Sequence, residues 1–331
     1  MMNRPGQLDM FAQSSSSVPH VSDEFSLRPV YRTSRGAAIV GDSLSALRSL
    51  PSDCVNLVVT SPPYALHFKK EYGNASQADY VRWFMPFASE IKRVLADDGS
   101  FVLNVGGSWN EGLPTRSIYH YRLMLALVDE IGLHLAQEFF WYNPAKMPVP
   151  AEWVTVRRIR VKDSVEFVWW FGKTPWPKAT NRTVLRPYSK DMIRLNLRGV
   201  RETTRPSGDS INGSFNSIDA GGSIPPNVLD DDTPSDLLRF GNNAANDRYT
   251  LECKRAGIKI HPARFPSVLP EFFMKLTTDP RDIVLDPFAG SNTTGMVAEA
   301  LDRRWIAIEL DPVYLEASKF RFDGIEDAKA G

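Results

Sequence analysis

One segment constrains the fold more than any other: Asp282–Gly295, DIVLDPFAGSNTTG, in which an apolar run of strand length meets a turn of small residues and then a helix entry. A buried strand feeding a helix through a glycine turn is the βα unit of an open α/β sheet, and such sheets bind small molecules at the carboxyl ends of their strands. Gly290 lets the backbone approach a ligand closely. Ser291, Asn292 and Thr293 can cap the helix that follows. The next strand, WIAIEL, ends at Glu309, 19 residues after Gly290, where a carboxylate can accept hydrogen bonds from ribose hydroxyls. The turn lacks both the lysine of a phosphate-cradling loop and the three glycines of a dinucleotide fingerprint, which favours an adenosine ligand without phosphate. On this segment alone an NAD-binding site and a turn with no ligand both stay open.

The rest of the chain has the same rhythm. From Arg35 an apolar strand AAIV, a helix over Ser43 to Leu50 and a strand VNLVVT follow one another. A helix is predicted from Ser76, with Asp79 as capping partner and Tyr80, Trp83, Phe84, Phe87, Ile91, Val94 and Leu95 on one face, kinked at Pro86 and ended by Asp98-Gly99. Beyond it come strand SFVLNV, a helix near Ile118 to Ile131 and strands through Phe139 to Tyr142 and Val165 to Phe171. A helix near Leu269 to Leu276 then leads into the glycine segment. Such alternation predicts an α/β fold with a parallel sheet. Residues 1–34, with a four-serine run and scattered prolines, read as a flexible arm carrying one docking segment. No leader pattern and no apolar run of about 18 residues appears, so the expected location is the cytoplasm. Two cysteines without paired spacing fit that setting and imply neither a disulfide framework nor a structural zinc site.

Directly after the strand Val55–Thr60 stands Ser61-Pro62-Pro63-Tyr64. Two consecutive prolines fix two backbone torsions, making a stiff rim. Ser61 Oγ and the Pro62 carbonyl can accept hydrogen bonds from an amino group, and Tyr64 offers a flat face for stacking. A proline-stiffened strand exit without chemistry is the competing reading.

Ser-Pro-Pro-Tyr near the N-terminus together with Phe-Ala-Gly-Ser near the C-terminus resembles the β-class, circularly permuted DNA amino-methyltransferases of restriction-modification systems. The resemblance runs from about Ala38 to Ala317, with the middle, from about Thr174 to Lys259, aligned by position only. It implies a Rossmann-like methyltransferase fold with a mostly parallel seven-stranded sheet, circularly permuted, and a smaller target-recognition region. The implied organisation is an arm (1–34), a catalytic half (35–173), a target-recognition region (174–259) and a cofactor-binding half (260–331). It further implies S-adenosylmethionine as cofactor, no metal, and cofactor contacts at Asp42, Asp286, Phe288, Ala289, Gly290, Ser291, Asn292, Thr293 and Glu309. His261-Pro262-Ala263-Arg264-Phe265-Pro266 is similar to the family's turn before the helix that closes over the methionine end of the cofactor. Asn292 departs from the family's loop, which commonly carries glycine there.

Ser61, where the adenine-N6 branch usually has Asp, is similar to the cytosine-N4 branch, with adenine N6 the alternative target. The implied chemistry is direct in-line transfer to an exocyclic amine of a base flipped from double-stranded DNA, with Ser61, Pro62, Pro63 and Tyr64 handling that base. Cys54 and Cys253 lack the Pro-Cys setting of a carbon-5 methyltransferase and read as bystanders. Trp141 and Tyr142 stand either as a second stacking face or as core.

Net charge is zero, so any attraction to DNA must be local. Residues 155–205 hold 13 Lys or Arg against 4 Asp or Glu, whereas 206–250 hold 7 Asp and 2 Arg. The basic stretch is therefore expected to meet phosphates through Arg157, Arg158, Arg160, Arg182, Arg186, Arg194 and Arg198, with the irregular stretch reading bases. Finally, Gln7-Leu8-Asp9-Met10-Phe11 resembles a bacterial sliding-clamp-binding peptide, with Gln7, Leu8 and Phe11 as its anchors; an inert tail is the alternative.

Overall fold

The computed structural model describes residues 19–65, 75–198, 203–204, 206, 208, 210–211, 221–230, 233, 247–264 and 266–327. Gln7, Leu8 and Phe11 lie outside these. In chain order the described strands are β1 (Tyr31–Arg32), β2 (Gly36–Val40), β3 (Val55–Thr60), β4 (Leu95–Val105), β5 (Ser108–Trp109), β6 (Arg116–Ser117), β7 (His134–Tyr142), β8 (Val165–Gly172), β9 (Thr203–Thr204), β10 (Ser210–Ile211), β11 (Val228–Leu229), β12 (Ile283–Asp286), β13 (Arg304–Glu309) and β14 (Glu326–Asp327). The α-helices are α1 (Val21–Glu24), α2 (Ser43–Ser49), α3 (Tyr80–Val94), α4 (Tyr119–Asp129), α5 (Lys190–Arg198), α6 (Arg248–Ala256), α7 (Val268–Thr277), α8 (Thr293–Ala300) and α9 (Pro312–Ser318).

One large sheet runs in the order β11-β7-β8-β4-β3-β12-β13-β2-β1-β14. Its seven strands of four or more residues, from β7 to β2, form the mostly parallel sheet expected from the sequence, and among them only β8 runs against the rest. Two-residue strands lengthen both edges. The centre of the sheet joins the two ends of the chain: Leu57 pairs with Val284 and Val58 with Leu285 across β3 and β12.

Strand β3 shows why the sheet has helices on both faces. Successive side chains point to opposite sides, so Val58 enters one core cluster while Leu57 and Val59 enter the other. The first cluster takes Leu47 from α2, Phe84 and Ile91 from α3, and Leu123 and Leu127 from α4. Leu269 and Phe273 of α7, Val297 of α8 and Leu315 of α9 fill the second. An apolar strand buried on both faces is the mark of a covered parallel sheet.

Several boundaries differ from the sequence reading. Helix α3 starts at Tyr80, because Ser76 holds Asp79 in a turn: the Asp79 amide donates to Ser76 Oγ at 3.1 Å and Ser76 Oγ donates to Asp79 Oδ2 at 2.7 Å. At its other end α3 passes straight into β4 at Leu95, ahead of Asp98-Gly99. The arm boundary at residue 34 does not follow the fold either. Val21 and Tyr31 are fully buried, and the Tyr31 hydroxyl lies 2.6 Å from Ser318 Oγ. Described parts of 174–259 also belong to the body: β11 pairs with β7, and Tyr249 and Cys253 of α6 pack on Ala317 of α9. Among the described residues no helix is long and apolar enough to cross a membrane.

Candidate active site

Six parallel strands end on one edge, at Val40, Thr60, Val105, Tyr142, Asp286 and Glu309, and a cavity of about 740 Å³ opens there. It sits over the central seam. Its walls come from both ends of the chain, with Ser61 to Tyr64 on one side and Phe288 to Ser291 on the other.

The glycine side rests on Asp286. This carboxylate is 1% exposed and accepts from Thr60 Oγ1 (2.7 Å), Thr294 Oγ1 (2.6 Å) and the Phe288 amide (3.1 Å). Burial nevertheless dominates, raising its carboxyl from 3.8 to about 6. Gly290 has φ +53°, a left-handed conformation, and a Cβ there would stand 3.0 Å from the His261 ring. Its amide donates to Glu309 Oε2 at 2.7 Å, while Glu309 Oε1 accepts from the Asp311 amide at 2.9 Å. Glu309, expected from the sequence as a ribose acceptor, thus stands on the cavity wall with its carboxyl raised by burial. His261 packs edge-on against Tyr314 with ring centroids 4.5 Å apart, and burial lowers its imidazole to about 4, so it is neutral at pH 7.

Two residues assigned to direct cofactor contact are placed behind the wall instead. Asp286 is enclosed by the threonines just named. Asn292, fully buried, takes φ +53° and caps α8 by accepting from the Gly295 amide at 3.0 Å, and its Nδ2 donates to the Tyr31 hydroxyl at 3.1 Å. Both shape the loop from beneath. Asp42, Phe288, Ala289, Gly290, Ser291, Thr293 and Glu309 do line the cavity. Asp42 also caps α2, accepting from the Ser45 amide at 2.8 Å, and Ser43 Oγ ties that helix to the Pro287 carbonyl. Trp83, Phe87 and Phe288 form an aromatic wall, with Phe288 6.0 Å from Trp83 and 5.2 Å from Phe87 between ring centroids.

Across the cavity Ser61, Pro62, Pro63 and Tyr64 all contribute to the lining. Gly106 leaves room for the tyrosine ring, since a Cβ there would fall 2.5 Å from it. Ser61 Oγ donates to the Tyr64 hydroxyl at 3.2 Å, and that hydroxyl donates to Glu166 Oε2 at 2.8 Å, with Asn104 Oδ1 3.1 Å away. Burial above all, then the negative charge of Glu166, holds Tyr64 well above the usual phenol range. Glu166, Asn104 and Asn143 were not singled out in the sequence. For Glu166 the signal was one acidic residue inside the apolar strand VEFVWWF, which by itself reads as ordinary alternation. Trp141, 7% exposed, belongs to a core cluster and also reaches the cavity.

The cysteines stay outside. Neither lines the cavity, Cys253 is buried, and burial pushes the Cys54 thiol up to about 11.

The basic residues divide. Arg157, Arg158 and Arg160 are exposed around the turn Glu152–Val156, Arg157 bonding Glu152 Oε1 at 2.7 Å and lying 5.0 Å over the Trp153 ring. Arg194 and Arg198 are exposed on α5. Arg186 is not available in the expected way, because its guanidinium donates to Asp230 Oδ1 (3.2 Å), Thr233 Oγ1 (3.1 Å) and the Val228 carbonyl (3.4 Å). Arg182 is misplaced for DNA at this cavity. Its turn is pinned to the last turn of α7, Thr180 N to Leu276 O at 2.8 Å and Thr183 Oγ1 to Lys275 O at 2.6 Å, at the opposite edge of the sheet.

Fold and cavity together define a Rossmann-like α/β enzyme whose small-molecule loop and proline-stiffened turn share one opening. A family model described as DNA methylase matches residues 55–320. The type II methyltransferase M.PvuII of Proteus hauseri is 50% identical over 301 residues, covering 90% of this chain and 87% of that protein. M.ScaI, a type II methyltransferase of Streptomyces caespitosus, is 28% identical over 89% of this chain and 84% of its own. The solved structure of PvuII DNA methyltransferase (cytosine-N4-specific) superposes with a TM-score of 0.71 at 44% identity, covering 89% of each chain. The chain belongs to the DNA methylase family.

Proposed function

We propose that the chain transfers a methyl group from S-adenosylmethionine to the exocyclic N4 of cytosine in double-stranded DNA, acting in the cytoplasm. The observation that carries this reading is the meeting of Ser61–Tyr64 and the Phe288–Ser291 loop in one cavity. A relative of 50% identity and the solved structure of the cytosine-N4-specific PvuII methyltransferase support the choice of target.

The residues present suit the cofactor. The Trp83–Phe87–Phe288 wall offers apolar faces for an adenine, Glu309 keeps lone pairs free for ribose hydroxyls, and the left-handed Gly290 brings backbone to the cavity without a side chain. When bound, S-adenosylmethionine supplies a methyl group activated by a sulfonium. Ser61 Oγ and the Pro62 carbonyl then accept the protons of the target amine, which concentrates its lone pair on nitrogen. Tyr64, fixed by its hydroxyl, holds the base ring. Arg157, Arg158 and Arg160 meet phosphates, and the irregular stretch 206–250 reads the flanking bases.

Substitution Ser61→Ala tests the reading. Methyl transfer to duplex DNA should fall by about 10²-fold or more, while calorimetry still shows S-adenosylmethionine bound. Unchanged turnover removes Ser61 from the chemistry, and tight NAD binding without S-adenosylmethionine binding removes the methyltransferase reading.

A further inference from the structure

Beyond the serine and tyrosine, the cavity holds a half-buried acid for which neither the sequence motif nor the family match provides a role. Glu166 stands at the start of β8, its side chain 13% exposed, and lines the same cavity. One oxygen, Oε2, takes the Tyr64 hydroxyl at 2.8 Å, and the other, Oε1, takes Lys146 Nζ at 3.1 Å. The donors upstream all point one way: Ser61 Oγ donates to Tyr64, and Tyr64 donates to Glu166. Asn104 Oδ1 is the weaker competitor for the tyrosine proton, being farther away and uncharged.

We propose that Glu166 is the terminal proton acceptor of a relay, Ser61 Oγ to Tyr64 Oη to Glu166 Oε2, that takes up the proton the target amine loses during methyl transfer. The inference rests on the reading under Proposed function. A bond forms between the amine nitrogen and the methyl carbon while the carbon–sulfur bond breaks, its electron pair remaining on sulfur as the cation becomes a neutral thioether. The nitrogen gives one proton to Ser61 Oγ, whose own proton passes to Tyr64 Oη, whose proton passes to Glu166. The relay ends with a neutral carboxylic acid at Glu166, a neutral serine and tyrosine, and a neutral methylated amine. Glu166 later returns its proton to water through the open cavity.

Two features suit this direction. Tyr64 is held protonated by burial and by the Glu166 charge, so it passes a proton on without becoming a lasting base. Lys146 faces Glu166 from the loop after β7 and bonds Oε1, leaving Oε2 to Tyr64. Among the described residues, Tyr64 and Tyr119 both feel the Glu166 charge, and the Tyr119 hydroxyl donates to the Gly106 carbonyl.

Glu166→Gln keeps the size of the side chain and an oxygen for Tyr64 but cannot take up a proton. Single-turnover methyl transfer should fall by about 10²-fold, with the KM for DNA and the Kd for S-adenosylmethionine within about twofold of wild type, and with the acid limb of the pH–rate profile flattened. Glu166→Asp should recover part of the rate and the acid limb. A second readout needs no cofactor: the ¹³Cζ resonance of Tyr64, assigned by its loss in Tyr64→Phe, should move with pH in wild type and stay flat in Glu166→Gln. A Glu166→Gln protein that turns over within about threefold of wild type at every pH overturns the relay, as does one whose loss lies wholly in DNA or cofactor binding. If wild type methylates no cytosine N4, the reading under Proposed function fails. The tyrosine resonance then still decides the coupling, and an identical pH response in wild type and Glu166→Gln overturns it.

Discussion

Asn292 occupies the position where a glycine was expected, and it meets the same backbone demand in another way. Asparagine is among the few residues that enter the left-handed region readily, and as N-cap of α8 its side chain also satisfies the Gly295 amide. Asn292→Ala should therefore cost about 1–2 kcal/mol in urea unfolding and Asn292→Gly only a few tenths; equal losses would deny the capping role. Asp286 makes a different prediction. Its folded-state value, about 6, lies above the ordinary 3.8, so its stabilising contribution is complete below pH 3.8 and is lost as pH rises through 6. Asp286→Asn, neutral throughout, should be the more stable protein at pH 8 by on the order of 2–3 kcal/mol, and the gap should close as pH falls toward 4. A gap that ignores pH would mean that the carboxylate's charge is fully compensated. The sequence offered Asn292 as one of three candidate caps, but the buried support role of Asp286 was not legible in it. DPFAGSN announces a loop, but which side chains face the ligand and which lie beneath depends on Thr60 and Tyr31, brought from the other end of the chain.

At the scale of elements, strands read well and charges read poorly. The run VNLVVT declares a buried strand because five of its six residues are apolar or β-branched, and β3 spans those same six residues. The aromatic face of α3 was equally plain, since Tyr80, Phe84, Phe87 and Ile91 recur at helical spacing. Arginines carry no comparable signal, because spacing does not say which edge of the sheet a connection visits. Thus Arg182 and Arg158, 24 residues apart, reach different ends of the molecule. Double substitution Arg157→Ala with Arg158→Ala should weaken binding to duplex DNA and lower the slope of log K against log salt by about 1–2, whereas Arg182→Ala should leave both unchanged. Equal effects would move the DNA surface away from the cavity mouth. Glu166 was missed for a related reason: an acid in a strand signifies solvent until the partner strand and the turn above it are known.

For the whole molecule, chain order is reversed relative to the order of use. The base-handling turn closes β3 early in the sequence, and the cofactor loop closes β12 more than two hundred residues later, yet the two strands are neighbours at the sheet centre. Only motif order and family resemblance could foretell this from sequence; periodicity gives the strands but not their neighbours. Even the expected arm takes part, since Tyr31 enters the sheet and braces Asn292. The central claim is that this joined cavity methylates cytosine at N4. Mass spectrometry of nucleosides from duplex DNA incubated with the protein and S-adenosylmethionine tests it most directly. N4-methylcytosine should appear with wild type and be strongly reduced with Ser61→Ala, and the appearance of N6-methyladenine or 5-methylcytosine in its place would contradict the account.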